Sequence, residues 1–159
     1  MKNQLTYMLF IMVAVFSCKA NDNGDNPNMD IDITNAEVTN VSVTGDESNY
    51  TFSVEIKSPD LGCNQYADWW EIISEDGTLL YRRILAHSHV NEQPFTRSGG
   101  PTTISSDQVV YIRAHMNTTG YGEVVYKGSV SGGFSQQTLE TTFASQLETE
   151  EPLPNGCAF

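Results

Sequence analysis

The sequence is poor in basic residues, with 8 lysines and arginines against 20 aspartates and glutamates in 159 residues. The resulting net charge of -12 at pH 7 repels the phosphate backbone of nucleic acids, which excludes them as partners. Common catalytic motifs are absent as well: there is no Gly-x-Ser-x-Gly, no His-Glu-x-x-His, no phosphate-binding loop and no dinucleotide fingerprint. We therefore expect a binding or interaction module and not an enzyme.

The apolar run over residues 8–16 is too short to cross a membrane as a helix. Lys2 precedes it, and it ends in Val15-Phe16-Ser17-Cys18. This pattern resembles the signal peptide of a bacterial lipoprotein, in which cleavage occurs before a cysteine that then carries lipid. The resemblance implies that residues 1–17 are removed and that Cys18 attaches the protein to a membrane. The alternative is an ordinary secretory signal in which Cys18 is incidental.

The segment over residues 18–32 is polar and acidic and lacks apolar periodicity, which is typical of a flexible tether. Acidic tethers of this kind resemble the surface-export signals of Bacteroidota lipoproteins. The resemblance implies an outer-membrane lipoprotein of the cell envelope, and it leaves open whether the periplasmic or the surface face is occupied. Residues 33–159 are sufficient for a single domain, with a C-terminal extension from about residue 131.

Cysteine is scarce, with 3 in the chain. Once Cys18 is assigned to lipid, Cys63 and Cys157 remain, and we expect them to form a disulfide in an oxidising envelope compartment. Closing so long a loop stabilises a fold by about 4 kcal/mol in the chain-entropy description. The bridge would hold the C-terminal tail against the domain. The alternative is that the two thiols bind a metal, although no Cys-x-x-Cys spacing accompanies them.

Alternating apolar and polar residues predict several short strands, of which residues 50–56 are the clearest example. Turn signals such as Asp76-Gly77 separate the strands, whereas residues 90–107 are predicted to be loop. Leu139, Phe143 and Leu147 recur every four residues, which favours a short C-terminal helix packed on the body over a strand. The further strands are predicted at residues 36–44, 66–74, 79–86, 108–116 and 123–130.

This succession of strands predicts an all-β fold, an antiparallel β-sandwich. A tryptophan early in the third strand, preceded by the loop residue Cys63, resembles an immunoglobulin or fibronectin type III domain over roughly residues 33–130. The position of Cys157 beyond the last predicted strand departs from the immunoglobulin disulfide pattern. Adjacent Trp69 and Trp70 point to opposite faces, so we expect one in the core and the other under the loop at residues 88–100.

All histidines and arginines lie between Leu80 and Met116. His87 and His89 would share one strand face, and His115 comes from another strand. With Glu92 they could bind Zn or Cu. The stretch from His87 to Glu92, with Gly99 after it, is similar to the first metal-binding motif of cupins, although its spacer is one residue short. That resemblance implies a cupin-like metalloenzyme. The simpler interpretation is that the histidines are polar surface residues with local hydrogen bonds.

The arginines support a different hypothesis, a pocket for an acidic glycan or another anion. Guanidinium groups bind carboxylates and sulfates through paired hydrogen bonds, and aromatic rings stack on sugars. A glycan or an envelope protein would then be the partner. Arg82 and Arg83 point to opposite faces, and one of them is expected to pair with Glu71 or Asp68 at the surface. The candidate anion-binding residues are Arg83, Arg97, Arg113, Tyr111 and Trp70.

Overall fold

The computed structural model describes residues 33–158, so the predicted signal peptide, the predicted lipidation site Cys18 and the predicted tether lie outside the described residues. Within the described part the single helical element is a 3-10 turn at Ser145–Thr149. None of the helical structure in that part is long and apolar enough to cross a membrane. The strands are β1 (Glu37–Asp46), β2 (Asn49–Lys57), β3 (Ala67–Ser74), β4 (Leu79–Ile84), β5 (Phe95–Thr102), β6 (Val110–Met116), β7 (Gly120–Tyr121), β8 (Val124–Ser129) and β9 (Gly133–Thr138).

The strands form two antiparallel sheets, which confirms the predicted all-β sandwich. A three-stranded sheet has the order β1-β2-β5. A six-stranded sheet has the order β4-β3-β6-β8-β9, with the short β7 paired to β6. Because β4 and β6 are both antiparallel to β3, they run in the same direction and are separated by one strand.

The alternation in β2 has the predicted consequence: Tyr50, Phe52, Val54 and Ile56 are all buried against the second sheet. Strands β3 and β6 are buried along nearly their whole length on both faces. Such strands lose the alternating pattern because both faces exclude water. The three-stranded sheet covers one face of the six-stranded sheet. The C-terminal segment, defined here as residues 139–158, packs on the other face through contacts with Arg82 and Arg113.

Three strands were missed by the sequence prediction, of which β7 has only two residues, Gly120–Tyr121. Strand β5 lies in the stretch predicted to be loop, and its glycines occupy places where side chains do not fit. A Cβ on Gly99 would lie 2.6 Å from the Tyr81 hydroxyl, and one on Gly100 would lie 2.7 Å from the Tyr50 carbonyl oxygen. Glycine in a strand therefore marks a close approach here and not a turn. Strand β9 begins the region predicted as an extension from about residue 131, and it is polar because it is an exposed edge.

The predicted C-terminal helix reduces to the 3-10 turn, in which Leu147 is buried at 2% exposure. The reason lies in the hydrogen bonds of the segment. Its carbonyl oxygens at Leu147, Glu150 and Pro152 accept from the guanidinium of Arg82. A continuous helix would direct those carbonyls along its own axis, so the arginine contacts favour an irregular path.

Candidate functional site

The loop between β4 and β5 is held in place by a buried carboxylate. Asp60, 6% exposed, accepts the backbone N–H of His89 at 2.7 Å and the Ser88 hydroxyl at 3.2 Å. Its other oxygen accepts the Ser58 hydroxyl at 2.7 Å and the Ala67 N–H at 2.9 Å. Hydrogen bonds to an ionised acceptor are the stronger kind. The backbone at His89 is therefore fixed by a group that belongs to the preceding connection.

His89 is buried at 3% exposure, and its ring stacks on Phe95 with the centroids 3.8 Å apart and the planes inclined by 10°. The ring of His87 lies 4.5 Å away at 39°. Both ring nitrogens of His89 are buried without a hydrogen-bond partner among the described residues. A buried polar atom left in this condition costs about 1 to 3 kcal/mol. His89 therefore keeps unused hydrogen-bonding capacity at a fixed position.

Two cavities share the rings of His87 and His89 as a common wall. The larger has a volume of about 370 Å³ and the smaller about 100 Å³. The larger cavity is lined by Gly62, Cys63, His87, Ser88, His89, Val90, Asn91, Glu92 and Ala158. The smaller cavity is lined by Arg83, Ile84, Leu85, Ala86, His87, His89 and Arg97.

Charge is distributed unevenly around these cavities. Arg83 and Arg97 line the smaller one, and Arg97 forms a 2.7 Å ion pair with Glu92, which lines the larger one. Burial lowers the pKa of His89, and the nearby positive charges of Arg97 and His87 lower it further. The hydrogen bond from Arg97 lowers the pKa of Glu92. His89 is therefore neutral at physiological pH and offers one N–H donor and one acceptor.

The predicted disulfide is present between Cys63 and Cys157, whose Cα atoms lie 5.5 Å apart. It brings the end of the C-terminal segment to the larger cavity, where Cys63 and Ala158 both form part of the wall. The Ala158 N–H donates to the Ala86 carbonyl at 2.5 Å and extends this contact. The bridge therefore holds one side of the cavity in place, as well as the tail.

The metal set predicted from the sequence is not brought together. His115 and Ile84 both pair with Trp69 of β3, so they are separated by two strand spacings, about 10 Å. The His115 ring stacks on Trp69 at 3.6 Å and its Nδ1 lies 2.7 Å from Asp68, while His89 stacks on Phe95 of the other sheet. No three His, Cys, Asp or Glu side chains within residues 33–158 are grouped so that they could hold a metal ion. The structure therefore assembles neither the Zn or Cu site of His87, His89, His115 and Glu92 nor the metal centre of a cupin.

The predicted anion-binding set is divided in the same way. Arg83 and Arg97 meet at the smaller cavity. Arg113 is 1% exposed and donates to Glu71 and to the carbonyls of Phe143 and Ala144, and Trp70 is fully buried in the core. Tyr111 lies beside Phe143 and Lys127, away from both cavities. Of the five candidates, the structure gathers Arg83 and Arg97.

The expected surface ion pair of the β3–β4 hairpin is instead a buried bridge. The Glu71 carboxylate, 0% exposed, lies 2.6 Å from Arg82 and 2.7 Å from Arg113. Sequence reasoning missed its burial because the C-terminal segment covers this face. Trp69 lies on the same face, where Arg82, His115 and Tyr121 cover its ring. The sequence prediction had expected the loop at residues 88–100 to cover it.

Comparison with known proteins adds one relative. No protein-family model and no solved structure matches this chain. A protein of Halomicrobium mukohataei that carries the name "Putative lipoprotein" is 35% identical over 94 residues, which cover 58% of this chain and 46% of the relative. The chain therefore matches less than half the length of that relative.

Proposed function

We propose that this chain is a lipid-anchored lipoprotein of the cell envelope whose β-sandwich binds a ligand carrying an anionic group. The name of the Halomicrobium relative supports the first half, together with the pattern that ends in Cys18. In this proposal residues 1–17 are the signal peptide, residues 18–32 are the tether, and residues 33–159 form the immunoglobulin-like domain. The anchor lies in the outer membrane.

The lining of the smaller cavity supports the proposal that the domain binds an anionic group. Arg83 and Arg97 both line this cavity, as does His89, whose buried ring nitrogens have no hydrogen-bond partner among the described residues. Guanidinium groups bind carboxylate and sulfate with two parallel hydrogen bonds, and a buried neutral donor strengthens the binding without a second desolvated charge. Because the chain is acidic overall, this local concentration of donors is a site where an anion is favoured.

Glu92 currently satisfies Arg97, and the ion pair is partly exposed, with 30% of the Arg97 side chain and 60% of the Glu92 side chain accessible. Exposed pairs of this kind contribute little to stability because water and salt screen them. An incoming carboxylate or sulfate can therefore replace Glu92 on Arg97 at small cost. The exchange keeps Arg97 paired in both the free and the bound state.

Nuclear magnetic resonance of the ¹⁵N-labelled domain tests anion binding directly. Titration with sodium sulfate and sodium acetate should shift the Arg97 side-chain signal and the His89 ring signals in a saturable way. Sodium chloride at equal ionic strength should not do so. Arg97→Gln should abolish the saturable shifts, and Lys57→Gln, which removes a positive charge that lines neither cavity, should leave them intact. Identical responses to chloride and sulfate would contradict the proposal.

Labelling with radioactive palmitate tests the anchor. Expressed from its full-length gene, the protein should incorporate label at Cys18, and Cys18→Ala should lose it. A conservative control is Cys63→Ala, which removes a cysteine of the folded domain and should retain the label. Equal label in the wild-type chain and in Cys18→Ala would rule out lipidation at this position and leave a secreted protein.

A further inference from the structure

The larger cavity has the volume of a small-molecule site. Its volume of about 370 Å³ falls within the range of small-molecule sites, roughly 300 to 1,000 Å³. The smaller cavity, at about 100 Å³, has room for a carboxylate or sulfate group and little else, since a water molecule occupies about 30 Å³. A ligand whose anionic group binds Arg83 and Arg97 must therefore place its body elsewhere.

The lining of the larger cavity favours an apolar body. Its walls include the disulfide at Cys63, the methyl group of Ala158 and the side chain of Val90. Val90 is 49% exposed, and it is one of two large hydrophobic residues exposed among residues 33–158. The other, Leu61, is 73% exposed and does not line the cavity. Exposed apolar side chains at a concave site mark a place where an apolar ligand removes them from water.

The polar groups of this lining are already engaged. The Ser88 hydroxyl donates to Asp60 and accepts the Gly62 N–H at 3.2 Å. The Glu92 carboxylate accepts from Arg97. A sugar ring would need several free donors and acceptors to replace its hydration, whereas here the polar side chains left are Asn91, the imidazoles and the Glu92 carboxylate that the anion releases from Arg97. The desolvation cost of a sugar's hydroxyls would therefore go largely uncompensated.

The two imidazoles connect the cavities. His87 and His89 line both cavities with their ring centroids 4.5 Å apart, and of the two His87 is exposed whereas His89 is buried. Stacking of His89 on Phe95 holds this junction rigid. A ligand that spans both cavities thus passes the pair of rings and ends at the arginines.

We infer that the ligand is amphipathic, with an apolar, ring-containing body in the larger cavity and a carboxylate or sulfonate in the smaller one. This inference rests on the proposed function for its anionic half and adds the class of the ligand. It favours aromatic and hydrophobic acids over acidic sugars. The larger cavity is the part of the site that makes this selection.

Three probes separate the contribution of the apolar body from that of the anionic group. They are compared in fluorescence and calorimetric titrations of the domain with its disulfide intact. Anilinonaphthalene sulfonate carries rings and an anion, phenylnaphthylamine carries the same ring system without the anion, and an oligogalacturonate carries anions without an apolar body. We expect the sulfonate to bind with one-to-one stoichiometry and most tightly, phenylnaphthylamine about tenfold more weakly, and the oligogalacturonate weakest.

Two matched substitutions assign the probes to the cavities. Val90→Asp, in the lining, should weaken both dyes by about tenfold, while Leu61→Asp, at an exposed apolar position outside the lining, should leave them unchanged. Arg97→Gln should weaken the sulfonate and spare phenylnaphthylamine. Both hydrophobic positions are exposed, so the fold should persist, which circular dichroism verifies.

The outcomes distinguish the two proposals. Tighter binding of the oligogalacturonate than of the sulfonate would overturn the apolar class and leave anion binding standing. Equal affinity for both dyes, unaffected by Arg97→Gln, would overturn anion binding and leave the apolar cavity standing. Dye binding that Val90→Asp and Leu61→Asp change alike, or no saturable dye binding, would overturn the inference about the larger cavity.

Discussion

Arg97 and Glu92 lie 2.7 Å apart and belong to the walls of different cavities, so their ion pair joins the two halves of the site. The carboxylate of Glu92 is paired with the Arg97 guanidinium, which is the group that we propose binds the anionic end of the ligand. Any anion that binds there competes with this residue of the protein itself.

Removing that competitor should strengthen anion binding. We expect Glu92→Gln to raise the affinity for anilinonaphthalene sulfonate severalfold, because Arg97 then has no intramolecular carboxylate to release and the local negative charge is reduced. Glu123→Gln, an exposed acid away from the cavities, provides the matched change in net charge. Fluorescence titration at two salt concentrations measures the effect, and equal gains in both variants would attribute it to net charge alone.

The buried ion pairs of Glu71 with Arg82 and Arg113 should contribute strongly to the unfolding free energy. Glu71→Gln keeps the size of the side chain and removes the charge between Arg82 and Arg113, so two buried guanidinium groups lose their counter-ion. Breaking such a buried pair costs about 3 to 5 kcal/mol of unfolding free energy. Urea denaturation measures it. Glu75→Gln, which removes the partner of Lys127 at the surface, should change the stability little, and a similar loss in both variants would contradict the role of burial.

The lowered pKa of His89 predicts a loss of stability on mild acidification. Burial lowers it first, followed by the charges of Arg97 and His87, while Asp60 and Glu92 oppose them. Because the folded pKa is below the unfolded value of about 6.5, the unfolded chain binds more protons in that window. The contribution of His89 to stability therefore falls as the pH drops below about 6.5 and levels off below the folded pKa of His89.

His89→Gln isolates this contribution. The difference in unfolding free energy between wild type and the variant should shrink from about pH 7.5 to about pH 5, since the carboxylates titrate alike in both chains. His87→Gln is the control, because His87 is exposed. A difference that is independent of pH for His89→Gln would show that its protonation is not linked to folding.

Loss of the disulfide should affect stability and binding together. The double variant Cys63→Ser, Cys157→Ser removes a link that spans 94 residues, which lowers the unfolding free energy by about 4.7 kcal/mol in the chain-entropy description. It also frees Ala158 from the cavity wall, so the affinity for phenylnaphthylamine should fall. This loss should be seen at temperatures well below the melting temperature, where the variant is folded. Chemical denaturation and dye titration measure the two effects, and unchanged dye affinity in a folded double variant would remove the tail from the site.

The sequence was sufficient for features that depend on neighbours along the chain. The alternation from Tyr50 to Ile56 predicted β2, and two scarce cysteines predicted their bridge. The glycines at residues 99 and 100 lie in the stretch predicted to be loop, because the sequence pattern cannot show that Tyr81 and Tyr50 approach the chain there. The alternation of residues along a strand identifies which side chains share a face. Which other element packs against that face is decided by the tertiary fold.

The same limit explains the candidate site. His87 and His89 were expected together and are together, since two residues in one loop need no knowledge of the fold. His115 was grouped with them because it lies near the end of a similar strand. However, β3 lies between β4 and β6, and the His115 ring packs among Trp69, Tyr121 and Asp68. Arg113 was predicted to be a ligand group because nothing in its local sequence reveals the C-terminal segment that buries it.

The C-terminal segment is attached to the six-stranded sheet through its backbone. Arg82 and Arg113 donate to carbonyl oxygens, and every residue of a chain carries one whatever its side chain. The identity of the exposed residues between those carbonyls is therefore free to drift over evolutionary time. The spacing is not free, because inserting or deleting one residue displaces every later acceptor from its guanidinium. Length, and not composition, is what selection should preserve in this segment.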